Sequence, residues 1–80
     1  MQRDEVFNLA RDHLAEELEI DPAKIAEGTR LKDLGADSLD LYELVMELED
    51  RYGISVSEEQ AARIETVGDA VSFVVEHAPA

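Results

Sequence analysis

The chain has 80 residues, with 20 aspartates and glutamates against 7 lysines and arginines, no cysteine and a formal net charge of −13. That length confines it to one domain, residues 1–80, with a small core, and the missing cysteine excludes a disulfide framework and any cysteine-based metal site. The charge excludes nucleic-acid binding, which needs cationic neutralisation of phosphates, disfavours anionic membranes, and favours basic protein surfaces as partners. No apolar run approaches the ~18 residues of a membrane-spanning helix. The opening Met1-Gln2-Arg3-Asp4-Glu5 lacks the basic and apolar regions of a secretion signal. A monomeric cytoplasmic protein without membrane insertion is therefore expected.

The first helix is predicted from Arg3 to Glu19. Val6, Phe7, Ala10, Leu14 and Leu18 fall on one stripe, and Asp4 and Glu5 complement the positive end of the helix dipole. Ile20 to Ile25 reads as a brief turn, with Asp21 as a cap and Pro22 at the first helical position. A long loop follows to Asp37, and Ile25, Leu31 and Leu34 are spaced to anchor it. The second helix is predicted from Ser38 to Arg51, with Gly53 just past its end. The third is short, Glu58 to Arg63, behind a Ser57/Gln60 capping box. The fourth starts after Thr66, with Asp69 three residues on, and carries Val67, Ala70, Val71, Val74 and Val75. Its valines lower intrinsic helix propensity, so packing must hold it. The expected fold is all-α: a small four-helix bundle with a short third helix and a long loop between helices one and two.

At about 100° per residue, the second helix sorts into three faces. Leu41, Leu44, Val45 and Leu48 form a core face. Leu39, Tyr42 and Met46 form a narrower stripe beside it, which either widens the core or serves as a docking surface. Asp40, Glu43, Glu47 and Asp50 fill much of the rest. From Asp33 through Asp50 there are seven acidic residues and no basic one, and Glu43 and Glu47, four residues apart, are expected to be free of basic neighbours. Acids at those spacings repel one another by a few tenths of a kcal/mol per pair, on the order measured in isolated helices. Such a row suits a surface that steers a basic partner.

Ser38 lies at the junction of a glycine-containing turn and this acidic helix. Asp37 is available as the cap, which frees the Ser38 hydroxyl to face outward, and the helix N-terminus favours a nearby phosphate. An attachment point fits better than a catalytic serine. His13 and His77 are the only possible histidine bases, one at a helix rim and one near a chain end, and no Gly-x-Ser-x-Gly elbow is present. A calcium loop starting at Asp33 fails at Gly35, Ser38 and Leu44, so no metal site is expected. An unmodified acidic interaction module is the remaining alternative.

Asp33-Leu34-Gly35-Ala36-Asp37-Ser38-Leu39-Asp40, followed by Glu43-Leu44-Val45-Met46 and by Thr66-Val67-Gly68-Asp69-Ala70, resembles the bacterial stand-alone acyl carrier proteins over nearly the whole chain. The resemblance implies a non-enzymatic carrier. Ser38 would receive 4'-phosphopantetheine from coenzyme A through a phosphopantetheinyl transferase, and the arm's thiol would bear acyl chains for basic-surfaced enzymes of fatty-acid synthesis. It also implies partner-recognition roles for Asp37, Leu39, Asp40, Glu43, Met46, Glu47 and Glu49, beside the Tyr42 and Asp50 of the docking face. Leu41-Tyr42 stands where fatty-acid carriers commonly have Thr-Val, which leaves open a dedicated carrier of a polyketide or other secondary pathway.

Overall fold

A computed structural model describes residues 2–79. Its four helices are α1 (Arg3–Leu18), α2 (Ser38–Tyr52), α3 (Glu58–Ala62) and α4 (Val67–His77), with short 3-10 turns at Pro22–Lys24 and Leu31–Leu34. No strand occurs among the described residues, and none of their helices is long and apolar enough to cross a membrane.

Three of the four helices start where the chain offers a reciprocal cap. Asp37 and Asp40 cap α2, Ser57 and Gln60 cap α3, and Thr66 and Asp69 cap α4, each pair exchanging two backbone N–H bonds. At α4 the Glu65 N–H, then that of Thr66, holds the Asp69 carboxyl below the usual carboxylate range. Asp21 caps the first 3-10 turn ahead of Pro22.

Helix ends differ from expectation by one residue. α1 stops at Leu18 because Glu19 adopts a left-handed conformation (φ 55°), and the N–H groups of Glu19 and Ile20 both return to the Ala15 carbonyl. The reversal packs the half-buried Ile20 against the core, a contact that commonly accompanies such caps. α2 runs on to Tyr52 and α3 ends at Ala62.

Val6, Ala10 and Leu14 of α1 meet Leu44 and Leu48 of α2 and Val67, Val71 and Val74 of α4 in the closed core. Full burial of each valine or leucine here stabilises by roughly 1.5–3 kcal/mol, which outweighs the propensity cost of valines in α4. Val75 lies outside this core and is exposed. α3 contributes only Ala61 to the buried set. The long connection is anchored as expected, with Ile25 and Leu31 buried and Leu34 half-buried.

A second fastening of that connection carries no apolar signature. Arg30 and Thr66 form an isolated antiparallel bridge. The Leu31 N–H reaches the Glu65 carbonyl at 2.9 Å, and the Val67 N–H reaches the Thr29 carbonyl at 3.1 Å. One step further, the Gly68 N–H donates to the Glu27 carbonyl at 2.7 Å, while the Glu27 side chain pairs with Arg3. A Cβ at position 68 would lie 2.9 Å from the Glu27 carbonyl oxygen, so backbone must move to admit one. Gly68→Ala is expected to lower stability by about 1–3 kcal/mol, the range for overpacking. At Gly28 an added Cβ meets nothing within 4 Å, and Gly28→Ala should be neutral or mildly stabilising. Paired thermal melts of the two variants check the difference.

Candidate functional site

The turn into α2 places one hydroxyl at the surface. The 3-10 turn Leu31–Leu34 ends at Gly35 (φ 84°), a left-handed conformation that glycine adopts without penalty. The Ala36 N–H closes back on the Leu31 carbonyl at 3.2 Å. Asp37 Oδ1 accepts the Asp40 N–H at 3.0 Å, and Asp40 Oδ2 accepts the Asp37 N–H at 3.1 Å. Both carboxylates are thus committed to the helix start. Ser38, the first residue of α2, is exposed and has no capping duty.

Two depressions meet at Ser38. The larger, of about 420 Å³, runs from Ser38 and Leu41 across Ala36 to Arg30, Lys32 and Ile64. The smaller, of about 180 Å³, lies between Ser38, Leu41, Tyr42 and the α3 residues Glu58 and Ala61. Leu41 borders both grooves and is half-buried. It packs against the core as its helix face predicts, but is not closed off: one turn beyond Ser38, at i+3, it also shares the open entry of the helix. Leu44, Val45 and Leu48 are buried as expected.

The stripe beside the core face is a surface. Leu39 is 63% exposed, Tyr42 47% and Met46 59%, and they make up three of the four exposed large apolar residues among the described residues. Its acidic surroundings are less uniform than the sequence suggests. Glu43 and Asp50 are exposed. Glu47 is half-buried and lies 3.7 Å from Arg51, one turn on, so the expectation that it lacks a basic neighbour is corrected: Arg51 falls just beyond the all-acidic span. Glu49 turns toward the α2–α3 connection, where Oε2 accepts the Val56 N–H at 2.8 Å. Glu17 of α1 approaches Asp40 and Glu43, with one carboxylate oxygen of each within 4.8 Å of the others.

Neither histidine is placed to activate Ser38. His13 Nε2 lies 2.9 Å from Glu17 Oε2. His77 stacks on Phe73, with Nδ1 2.9 Å from the Phe73 carbonyl. Neither lines a groove beside Ser38.

Sequence reasoning missed the groove residues Arg30, Lys32, Ala36 and Ile64. The signal for the two cations was available: they flank Leu31, and burying Leu31 turns both neighbours away from the core.

The family model for the phosphopantetheine attachment site matches residues 8–74. An acyl carrier protein of Lactobacillus acidophilus is 42% identical over 78 residues, covering 96% of this chain and 98% of that protein. Among solved structures, an acyl carrier protein from Enterococcus faecalis superposes with a TM-score of 0.83 at 37% identity, covering 98% of this chain and all of that one. One from Thermotoga maritima gives 0.82 at 28% identity, covering 95% of this chain and 89% of that one. By sequence along almost its whole length, and by the helical fold that frames an exposed serine, the chain belongs to the phosphopantetheine-attachment family, alongside the acyl carrier proteins.

Proposed function

We propose that residues 1–80 form one carrier domain that bears acyl groups as thioesters on 4'-phosphopantetheine linked to Ser38, and delivers them to enzymes of fatty-acid synthesis. The observation that carries this reading is the division of labour at the start of α2. Asp37 and Asp40 cap the helix, and the neighbouring hydroxyl stands exposed between two grooves. The residues present fit the arm: an accessible oxygen, first-turn amides that favour phosphate, and apolar groove walls from Leu41 and Ile64. When bound, the arm supplies the thiol that the cysteine-free chain lacks. The chain's own part is to hold the attachment oxygen at a fixed exit and to present a recognition surface around it.

That surface is the outer side of α2. Leu39, Tyr42 and Met46 supply contact area, while Glu43, Glu47 and Asp50 attract a basic partner such as the phosphopantetheinyl transferase or a synthase enzyme. Asp37 and Asp40 add charge from the cap, and Glu49 contributes to the same field from beneath. The protein itself is not an enzyme in this reading, since no base addresses Ser38. It works as a cytoplasmic monomer. A dedicated carrier of a polyketide or other secondary pathway is the second reading: Leu41 and Tyr42 replace the Thr-Val common in fatty-acid carriers, and both line the grooves beside Ser38 or the exposed stripe.

Intact mass of the protein purified from its native cells tests the proposal. The expected mass exceeds that of the polypeptide by one phosphopantetheine, with or without an acyl group whose mass identifies the pathway. A bare polypeptide would favour an unmodified interaction module.

A further inference from the structure

The cations of this chain are unevenly used. Of seven lysines and arginines, Arg3 pairs with Glu27, Arg11 with Asp12, Arg51 with Glu47 and Arg63 with Glu59. Lys24, Arg30 and Lys32 make no ion pair among the described residues. In a chain with 20 carboxylates, an exposed cation without a partner is in the minority. Two of the three line the larger groove beside Ser38.

The backbone holds them there. Leu31 between them is 6% exposed and donates its N–H to the Glu65 carbonyl. Arg30 is fixed by its bridge to Thr66, and Lys32 lies inside the 3-10 turn. The groove also contains two carboxylates, Asp37 and Glu65. Asp37 is occupied with the Asp40 N–H, and Glu65 forms an ion pair with neither cation. The groove thus combines two uncommitted positive charges, apolar walls and an exposed hydroxyl.

Resting on the carrier reading, we propose that Arg30 and Lys32 seat the phosphodiester that joins the arm to Ser38. A phosphate bonded to Ser38 Oγ would face this groove, whose lining includes Ser38, Arg30 and Lys32. The Asp40 amide is already taken by Asp37, so the two cations would supply most of the phosphate's contacts, with the Ser38 and Leu39 amides at the helix start beside them. Arg30 offers a planar fork of donors to phosphate oxygens, and Lys32 a point charge. In that seat the arm would lie along the groove, whose walls include Ala36 and Ile64, rather than free in solvent.

The test compares apo and holo forms of wild type, Arg30→Gln, Lys32→Gln, the double variant and Arg30→Lys. Both positions are exposed, so the fold should persist in each. Intact mass is read first. If wild type takes up no arm, the carrier reading itself fails, and the seat with it. With the arm in place, the folding equilibrium constant of holo wild type should exceed that of apo by about fivefold at low salt, as a partly exposed ion pair allows. This gain should disappear in the double variant and at high salt. The Arg30 Nε and Lys32 Nζ resonances should move between apo and holo wild type. The ³¹P line of the diester should move with salt in wild type and stay fixed in the double variant. Arg30→Lys should retain part of each effect, because charge survives and the fork does not. An arm that loads normally but changes neither side-chain resonance, with equal apo and holo stability, overturns the seat and leaves the carrier reading intact.

Discussion

Replacing Ser38 with alanine should abolish arm addition while leaving the fold untouched. Wild-type apo protein incubated with coenzyme A, Mg²⁺ and a broad-specificity phosphopantetheinyl transferase should gain one phosphopantetheine by intact mass, and Ser38→Ala none. The variant is a clean one because the serine does not hold the helix: Asp37 Oδ1 receives the Asp40 N–H, and Asp40 closes the box. Alanine is the better helix former at that position, so melting should agree within about 0.5 kcal/mol, the usual scale for surface changes. Of the other serines, Ser55 is exposed in the α2–α3 connection, Ser57 caps α3 and Ser72 is half-buried on α4. Arm addition that survives in the alanine variant would place the modification elsewhere and remove the central residue of the proposal.

Reversing Glu43 and Glu47 to lysine together should slow association with the transferase by roughly ten- to a thousandfold at low salt, the span of electrostatic steering. Wild-type association should fall steeply as salt rises, and the double variant's should not, because screening acts on an attraction the variant lacks. The effect on stability has two opposed parts. A lysine at 43 gains the nearby carboxylates of Glu17 and Asp40. A lysine at 47 loses Arg51 as a partner, 3.7 Å away, and repels it instead. Helix-surface terms of this kind are a few tenths of a kcal/mol each, so the net change should be close to zero. A folded variant that associates as fast as wild type at low salt would reduce the acidic face to a solubility coat.

Much of this architecture was legible because it is written in local patterns. Asp37, Ser57/Gln60 and Thr66/Asp69 mark helix starts through side chains that reach only three residues, and all three caps form, with Asp40 of the acidic row turning out to close the box at α2. The buried stripes of α1 and α4 follow from periodicity alone. Other features depend on which distant segments meet. Leu41 lies on the apolar face of its helix, yet α3 is too short to cover it, leaving it between two grooves. Glu49 resembles its acidic neighbours in sequence, but the chain beyond α2 folds back and presents the Val56 N–H to it. Arg30 and Lys32 flank Leu31, an anchor the sequence marks, but the groove they line with Ile64 and Glu65 forms only because Leu31 is bridged to the entry of α4. The attachment serine itself was plain in the motif, whereas the groove around it is assembled from residues up to 35 positions apart, Arg30 to Glu65.

The small bridge at Arg30 and Thr66 has a consequence for how the molecule comes apart. The segment that follows α1 holds the first turn of α4 through Glu27, Thr29 and Leu31, and α4 supplies four residues of the buried core. An opening of the long connection therefore deprives α4 of its lead-in, and loss of α4 exposes the floor beneath the connection. Segments that would otherwise fray separately are made to share one fate. A chain with so little core gains cooperativity this way. The longest stretch without an α-helix is thereby a structural member of the bundle, tied to the entry of α4 before it hands over to α2 at Ser38.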